Sequence, residues 1–205
     1  MFVMNISGST PQSWYYTATG LAWDECLKIT NQTLMPLPDL GMVHMIEKGI
    51  HGGVAMAVTR YAGANNKCMK NWQKSLPSVF LAYFDANNLY SGYAMSQKLP
   101  TDVFAWVTGK ALENALETKL WRTQPGFYEV NIHVSERLHD YFNDFPIAPE
   151  RRMRNGVEKL ITSLDDKEKY VIHHEALKFI DEMGYEITAV HRVITFNESA
   201  WMTLM

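Results

Sequence analysis

The chain has 205 residues, a length that suits one large domain or two small ones. Hydrophobic residues make up 47% of it and charged residues 20%, a globular composition that excludes extended disorder. Lys and Arg number 19 against 22 Asp and Glu, and this net charge of −3 argues against a protein that binds nucleic acid by general electrostatic attraction alone.

The first part of the chain predicts two helices and a glycine turn. Residues 21–30 and 39–49 have the apolar spacing of short helices. Gly52 and Gly53 then come before a β-like run at 54–62. Paired glycines in that position are typical of a tight turn, or of a backbone that closely approaches another group.

The most informative stretch follows a polar loop at 65–78. The apolar run VFLAYF at 79–84 has the length and the aromatic and β-branched character of a buried strand. It ends on Asp85, and after a short turn residues 89–97 predict a helix. The order strand, carboxylate, turn and helix would deliver Asp85 to the surface at a defined position.

The second half of the chain mixes strands and helices without a regular repeat. Its predicted elements are a strand or loop at 102–107, a helix at 111–121, a strand with one solvent-facing side at 127–134, a loop at 135–152, a helix at 165–183 and a strand at 185–196. Because strand and helix do not alternate as they do in parallel sheets, we expect an α+β fold.

Asp85 allows two interpretations from the residues alone. Its carboxylate and the backbone carbonyl of Ala86 could bind Mg²⁺, while the turn and helix N-terminus favour a triphosphate, with Tyr90 beside the sugar. Alternatively, Asp85 could simply cap the helix together with Asn87 or Asn88, which is the commoner use of such residues.

Several segments resemble one known family. DANNLYSGYAMSQKLP (85–100) resembles motif A, D-x-x-S-L-Y-P, of protein-primed family B DNA polymerases, especially those of Maverick/Polinton-type transposons and related viruses. EKGIHGGVAMAVTRYAGANN (47–66) is similar to the Y-x-G-G segment of that family. YFNDFPIAPERR and DDKEKYVIHHEALKFIDEMGYEITAVHRVITF resemble the insertion after motif A, so the resemblance covers residues from about 20 to 205.

The resemblance implies a role for each residue of motif A. Asp85 would be the catalytic metal ligand, with the Ala86 carbonyl beside it, for one or both of two Mg²⁺ (or Mn²⁺) ions. Asn88 would lie near the triphosphate, Leu89 would be packed, and Tyr90 would exclude ribonucleotides. The implied partners are a DNA template and primer, deoxynucleoside triphosphates and a terminal protein that primes synthesis.

The segment before motif A is the implied DNA contact. Its glycines would let the template or primer backbone pass close to the chain, and its lysines could face phosphates or simply face solvent. The residues concerned are His51, Gly52, Gly53, Lys67, Lys70 and Lys74.

The resemblance also implies a domain plan. Residues 1–40 would be the end of a linker that follows an exonuclease region, and 41–110 the first part of the palm, an antiparallel sheet with helices. Residues 111–205 would be the terminal-protein-type insertion that precedes the fingers. The expected fold is therefore α+β, with a partial polymerase palm and this insertion.

Several departures from the family pattern bear on activity. Ser91 replaces the usual Pro, Ile50 replaces the Tyr of Y-x-G-G, and His51 stands where the transposon group often has Arg. The motif Y-x-D-T-D-S, which supplies a second carboxylate, and the motif K-x-x-x-N-S-x-Y-G do not occur. We therefore expect a polymerase fragment that is inactive alone. The alternatives are a non-catalytic DNA- or protein-binding remnant, and a gene product that does not fold stably.

Other candidate sites carry weaker signals. Adjacent histidines on a helix make a poor chelate, so a solvated or half-buried position is favoured over a metal site for His173, His174 and His191. The basic cluster of Arg151, Arg152 and Arg154 lies among acidic residues, which favours a solvated loop over a contact with nucleic acid or a protein primer.

The number of cysteines and the hydropathy of the chain indicate the cellular compartment in which we expect the protein. Cys26 and Cys68 are too few for a disulfide framework, which favours a reducing environment. No apolar run approaches about 18 residues, and the N-terminus has neither the basic region nor the apolar core of a signal peptide. We expect an intracellular protein, nuclear or cytoplasmic, with no membrane partner.

Overall fold

The structure, a computed structural model, describes residues 15–87 and 89–204, with the backbone alone at 90, 91, 94, 95, 203 and 204. Helices and strands are mixed along this chain, which confirms the predicted α+β class. The elements are α1 (Ala18–Thr30), α2 (Leu40–Lys48), α3 (Leu89–Ser96), β1 (Leu99–Trp106), α4 (Lys110–Glu113), β2 (Gly126–His133), α5 (His139–Phe142), β3 (Glu150–Arg154), β4 (Val157–Ile161), β5 (Lys167–His173), α6 (His174–Glu182) and β6 (Glu186–Ser199).

The described chain forms two compact units. The smaller one contains residues 15–36, 89–103 and 196–204. Within it, Trp23 of α1 meets Trp201 edge to face, with 5.9 Å between the ring centres. The larger unit contains Leu37–Asn87 and Phe104–Thr195.

A four-stranded sheet has the strand order β1-β6-β2-β5, and β2 is antiparallel to both β5 and β6. A separate two-stranded antiparallel ribbon joins β3 to β4. Its turn consists of Asn155 and Gly156, both with positive φ (53° and 77°). That backbone is the tight hairpin turn for which the Asn-Gly dipeptide is the strongest sequence signal.

Helices cover both faces of the sheet in the larger unit. On one face, Tyr128 and Val130 of β2 pack with Leu177 and Ile180 of α6, and all four side chains are buried. Alternation along each strand sends the neighbouring residues to the opposite face.

On that opposite face, Met42 and Met45 of α2 pack on Val171 and Ile194. The solvent-facing side predicted for 127–134 is therefore wrong in part, because α2 covers it and leaves Glu129 only 3% exposed.

The buried strand predicted at 79–84 is wrong. Only Val79 forms a bridge, with Asn65, and the residues after it are extended without a partner strand in the described chain. Phe80 is 66% exposed and Phe84 89% exposed. An apolar run is also the pattern of a surface segment that another chain or domain covers, and periodicity does not separate these cases.

The helix predicted at 165–183 is wrong in its first half. Residues Lys167–His173 form β5, where Tyr170 and Val171 are buried on opposite faces of the sheet. The helix begins only at His174, where the His173 side chain accepts a hydrogen bond from the Glu175 N–H. Pairing with β2 satisfies the backbone of β5 and overrides the local helical pattern.

Three other predictions need correction, and the rest hold within a few residues. The helix at 111–121 is reduced to α4 followed by turns and a 3-10 turn at Leu120–Arg122. The run at 54–62 forms no strand, and the loop at 135–152 contains α5 and the start of β3. The predictions that correspond to α1, α2, α3, β1, β2 and β6 are confirmed.

Candidate functional site

Asp85 lies in an exposed segment without regular structure, four residues before α3. Asp85 and Ala86 are both exposed, and Asn87 occupies the turn. The predicted turn and helix are thus present, although the strand before them is not. Leu89, implied to be packed, is 60% exposed. Asn88 and the side chain of Tyr90 lie outside the described part of the chain.

The donor atoms at Asp85 suit a hard cation. A carboxylate followed by a backbone carbonyl provides the oxygen ligands that Mg²⁺ prefers. Within 15–87 and 89–204, Asp85 accepts no hydrogen bond and joins no cluster of three His, Cys, Asp or Glu residues that could hold an ion. One exposed carboxylate holds Mg²⁺ weakly, so a second must come from elsewhere.

The glycine segment packs on the outer strand of the sheet. The His51 ring stacks on Tyr170 with 4.5 Å between the ring centres and parallel planes. Its Nε2 lies 3.3 Å from the Val171 carbonyl oxygen. Gly52 has a φ of +87°, a conformation that favours glycine, and no atom lies within 4 Å of where a Cβ would be.

The environment of His51 determines its protonation. Burial is the main cause that lowers the pKa of His51, and the nearby Arg151 lowers it further. The imidazole is therefore neutral at pH 7, and Nε2 carries the proton that it donates to Val171. A neutral ring stacked on Tyr170 offers no positive charge for a phosphate contact.

Lys48 and His51 together cover the free edge of β5. Lys48 Nζ donates to the Lys169 carbonyl at 2.8 Å, one pleat away from the His51 contact with Val171. Because β5 is the last strand of the sheet, its outer carbonyls would otherwise be open to another strand. His51 therefore has a structural role on the edge strand, at a position where the resemblance implied a contact with DNA.

The three predicted DNA-contacting lysines lie on one ordered loop. Asn65 and Val79 close it through two backbone hydrogen bonds of 2.7 and 2.9 Å. The Asn65 side chain crosses the loop: its Nδ2 donates to the Gln73 and Pro77 carbonyls at 3.0 Å, and its Oδ1 accepts from the Gln73 N–H at 2.9 Å. The adjacent Asn66 is buried and donates to the Val79 carbonyl.

The lysines themselves project from this loop. Lys67, Lys70 and Lys74 are exposed, and none forms an ion pair with the described residues. No acidic residue lies near them in sequence, since the nearest are Glu47 and Asp85. The loop therefore presents three uncompensated positive charges on a backbone that Asn65 holds in place.

Replacing Asn65 with Ala should open this loop. The change removes the three hydrogen bonds above and a longer one to the Leu76 carbonyl at 3.5 Å. A typical hydrogen bond contributes about 0.5 to 1.5 kcal/mol. We expect limited trypsin digestion at Lys67, Lys70 or Lys74 to become roughly tenfold faster or more. Asn71→Ala, an exposed change on the same loop, should leave the rate unchanged; equal cleavage of the two variants would contradict the role of Asn65.

A charge network on the sheet was not predicted from the sequence. Glu129 of β2 accepts two hydrogen bonds from Arg192 of β6, at 2.8 and 2.9 Å, and one from Lys48 at 3.3 Å. Arg192 also lies over the Trp106 ring, 5.7 Å from its centre. Hydrogen bonding from Arg192 is the main cause that lowers the pKa of Glu129. The cross-strand register, which pairs Glu129 with Arg192, creates this contact.

A cavity of about 660 Å³ adjoins Lys48 and His51. Its charged lining is mixed, with four acidic and three basic side chains beside the neutral His51, so neither sign of charge dominates. Its charged residues are Glu47, Lys48, Glu150, Arg151, Glu158, Glu168 and Lys169.

The histidine pair serves the backbone of the larger unit. Burial lowers the pKa of His173 to about 4, so its ring is neutral and accepts from the Glu175 N–H. His174 is buried, and its Nδ1 accepts from the Gly126 N–H at 3.3 Å. His173 is half-buried, one of the two positions that the sequence favoured, whereas His174 is fully buried.

Two of the three clustered arginines are neutralised within the chain. Arg151 pairs with Glu158 at 3.4 Å across the ribbon, and Arg152 pairs with Glu150 and with Asp165. Arg154 forms no ion pair with the residues described here. The cluster is thus mainly part of the β3–β4 ribbon and its anchoring, not an open basic patch.

Comparison with known proteins identifies no relative. No family model, curated protein or solved structure matches this chain. Among the described residues, no helix is both long enough and apolar enough to cross a membrane.

Proposed function

We propose that this chain is part of a DNA-directed DNA polymerase of the protein-primed family B, containing the first part of the palm and the insertion that follows it. The observation that carries the proposal is Asp85, an exposed carboxylate four residues before α3, within a segment that resembles motif A. The similarity of the flanking segments, from about residue 20 to 205, adds support.

Asp85 and Ala86 are the residues that would hold the metal. Their carboxylate and carbonyl oxygens fit Mg²⁺ or Mn²⁺, and neither residue is buried. When bound, two such ions activate the primer 3′-hydroxyl and stabilise the departing pyrophosphate. The chain's own contribution would be the Asp85 carboxylate and the Ala86 carbonyl oxygen, which come shortly before α3 in the sequence.

Activity would also need the second carboxylate and the triphosphate-binding lysine. These groups belong to the motifs Y-x-D-T-D-S and K-x-x-x-N-S-x-Y-G, which the 205 residues do not contain. We expect both motifs to be encoded in frame after codon 205, directly or across an intron or frameshift, and sequencing of the transcript tests this.

Primer extension tests the role of Asp85. We expect no extension by the 205-residue chain with Mg²⁺ or Mn²⁺, because a single carboxylate cannot position two ions. In a chain that includes the two further motifs, Asp85→Asn should lower the extension rate at least about a hundredfold. Asp144→Asn, an equally exposed carboxylate, is the control; equal activity of the two variants would exclude the proposal.

A second candidate function is a non-catalytic module that binds DNA or a protein. The ordered loop with Lys67, Lys70 and Lys74 favours it, because these cations have no partner among the described residues and do not depend on Asp85. Binding that survives Asp85→Asn in a chain without polymerase activity would identify this function.

A further inference from the structure

Charge is concentrated in one segment of this acidic chain. Residues 48–84 contain five basic side chains and no Asp or Glu. Since the whole chain has a net charge of −3, the remainder carries −8. The segment is thus a continuous basic stretch of the kind that anionic polymers bind. Its basic residues are Lys48, Arg60, Lys67, Lys70 and Lys74.

Two of these five side chains are set aside: one is bound within the chain, and the other lies away from the lysine loop. Lys48 is engaged with Glu129 and the Lys169 carbonyl, and Arg60 lies outside the closed loop. Lys67, Lys70 and Lys74 share the loop that Asn65 and Val79 close. The free charge is therefore concentrated on 65–79.

An aromatic ring lies between these lysines. Trp72 stands two residues from both Lys70 and Lys74, and it is 41% exposed although an indole is usually well buried. The Trp72 N–H donates to the Met69 carbonyl within the loop, so its backbone is held in the same ordered turn. Cations interleaved with an exposed aromatic ring are the chemistry of proteins that bind unpaired nucleic acid.

We propose that loop 65–79 is a binding site for single-stranded nucleic acid, in which Lys67, Lys70 and Lys74 contact phosphates and Trp72 stacks on a base. A flexible strand can bring a base onto the indole and its phosphates onto the lysines at once. A duplex keeps its base faces stacked on one another and offers only phosphates, so it should bind more weakly.

Binding at this loop uses neither Asp85 nor a metal ion. It extends the proposed function by specifying single-stranded nucleic acid as the ligand and Trp72 as the residue that stacks on a base. The same binding would be expected of a chain with no polymerase activity. Failure of primer extension and failure of loop binding are thus separate results.

The test measures fluorescence anisotropy of labelled dT20, rU20 and a 20-base-pair duplex with the purified chain. We expect single strands to bind more tightly than the duplex, and the dT20 and rU20 arms show whether DNA or RNA is preferred. Trp72→Ala should weaken dT20 binding about fivefold or more, whereas Trp72→Phe, which keeps an aromatic face, should retain most of it.

The lysine contribution is tested against a matched set. Changing Lys67, Lys70 and Lys74 to Gln should reduce the slope of log Kd against log salt concentration by about 2. Each phosphate contact with a single strand contributes about 0.7 to that slope, and three contacts are removed. The control changes Lys98, Lys110 and Lys159 to Gln, which alters net charge equally at exposed positions with no ion pair in the described chain.

The outcomes separate the alternatives. If Trp72→Ala and the loop lysine variant bind dT20 as the control set does, or if no single strand binds at low salt, the proposal is wrong. A loss with the lysines but none with Trp72→Ala, together with equal binding of duplex, would show general electrostatic attraction and would also overturn it. Circular dichroism of each variant confirms that the fold is kept.

Discussion

Replacing Arg192 with Met should lower the free energy of unfolding by about 2 to 3 kcal/mol. The Glu129 carboxylate is 3% exposed and accepts two hydrogen bonds from Arg192. Without that guanidinium, the carboxylate keeps only the longer contact to Lys48, and a buried charge without full compensation is costly. The half-exposed position of Arg192 places the expected cost below that of a fully buried pair.

Two further variants make the origin of this effect testable. In the double variant Glu129→Gln, Arg192→Met, much of the stability should return, because no buried charge remains. Arg154→Met makes the same chemical change at an exposed arginine that forms no ion pair in the described chain, and should cost less than about 0.5 kcal/mol. Urea unfolding measures all three; equal stability of Arg192→Met and Arg154→Met would contradict the network.

The pH dependence has a defined sign. The pKa of Glu129 is lower in the folded chain than its ordinary value of 4.5, chiefly through hydrogen bonds from Arg192. The stability that this interaction contributes is fully present above pH 4.5 and is lost as the pH falls through the folded-state pKa. The wild-type chain should therefore lose stability more steeply below pH 4.5 than the double variant.

Replacing Leu177 with Ala should lower the free energy of unfolding by about 3 kcal/mol. Leu177 is 0% exposed and lies in the core between α6 and the sheet. Removal of its buried methyl groups leaves a cavity beside Tyr128 and Val130 that the sheet cannot fill.

Phe179 on the same helix provides the matched control. It is 49% exposed, so Phe179→Ala should cost about 1 kcal/mol or less despite removing a larger side chain. Thermal or urea unfolding compares the two variants. If Phe179→Ala were the more destabilising, the face of α6 that meets the sheet would be misassigned.

Local signals identified α1, α2 and α3 well. Asp39 before α2 accepts from the Met42 N–H, and Gly49 follows the last helical residue, so both ends carry recognisable caps. The turn and helix after Asp85 are equally local. The hairpin turn at Asn155 and Gly156 also has a local signal, the Asn-Gly dipeptide, but no strand was predicted on either side of it.

Long-range packing accounts for the errors. Residues 167–173 carry a helix-compatible pattern, but pairing with β2 makes them a strand. The run at 79–84 has the composition of a core strand, yet in the described chain no strand pairs with it beyond Val79. The composition of a segment shows how apolar it is. Whether that segment is buried, and against which surface, depends on contacts with residues that are distant in the sequence.

The candidate sites divide in the same way. The sequence by itself determined the segment resembling motif A, the position of Asp85 before a helix and the spacing of the loop lysines. Only the tertiary structure decided that Glu129 is buried between Arg192 and Lys48, and that Asn65 closes the loop. Both depend on side chains meeting across many intervening residues, through strand register and loop closure, which local spacing does not encode.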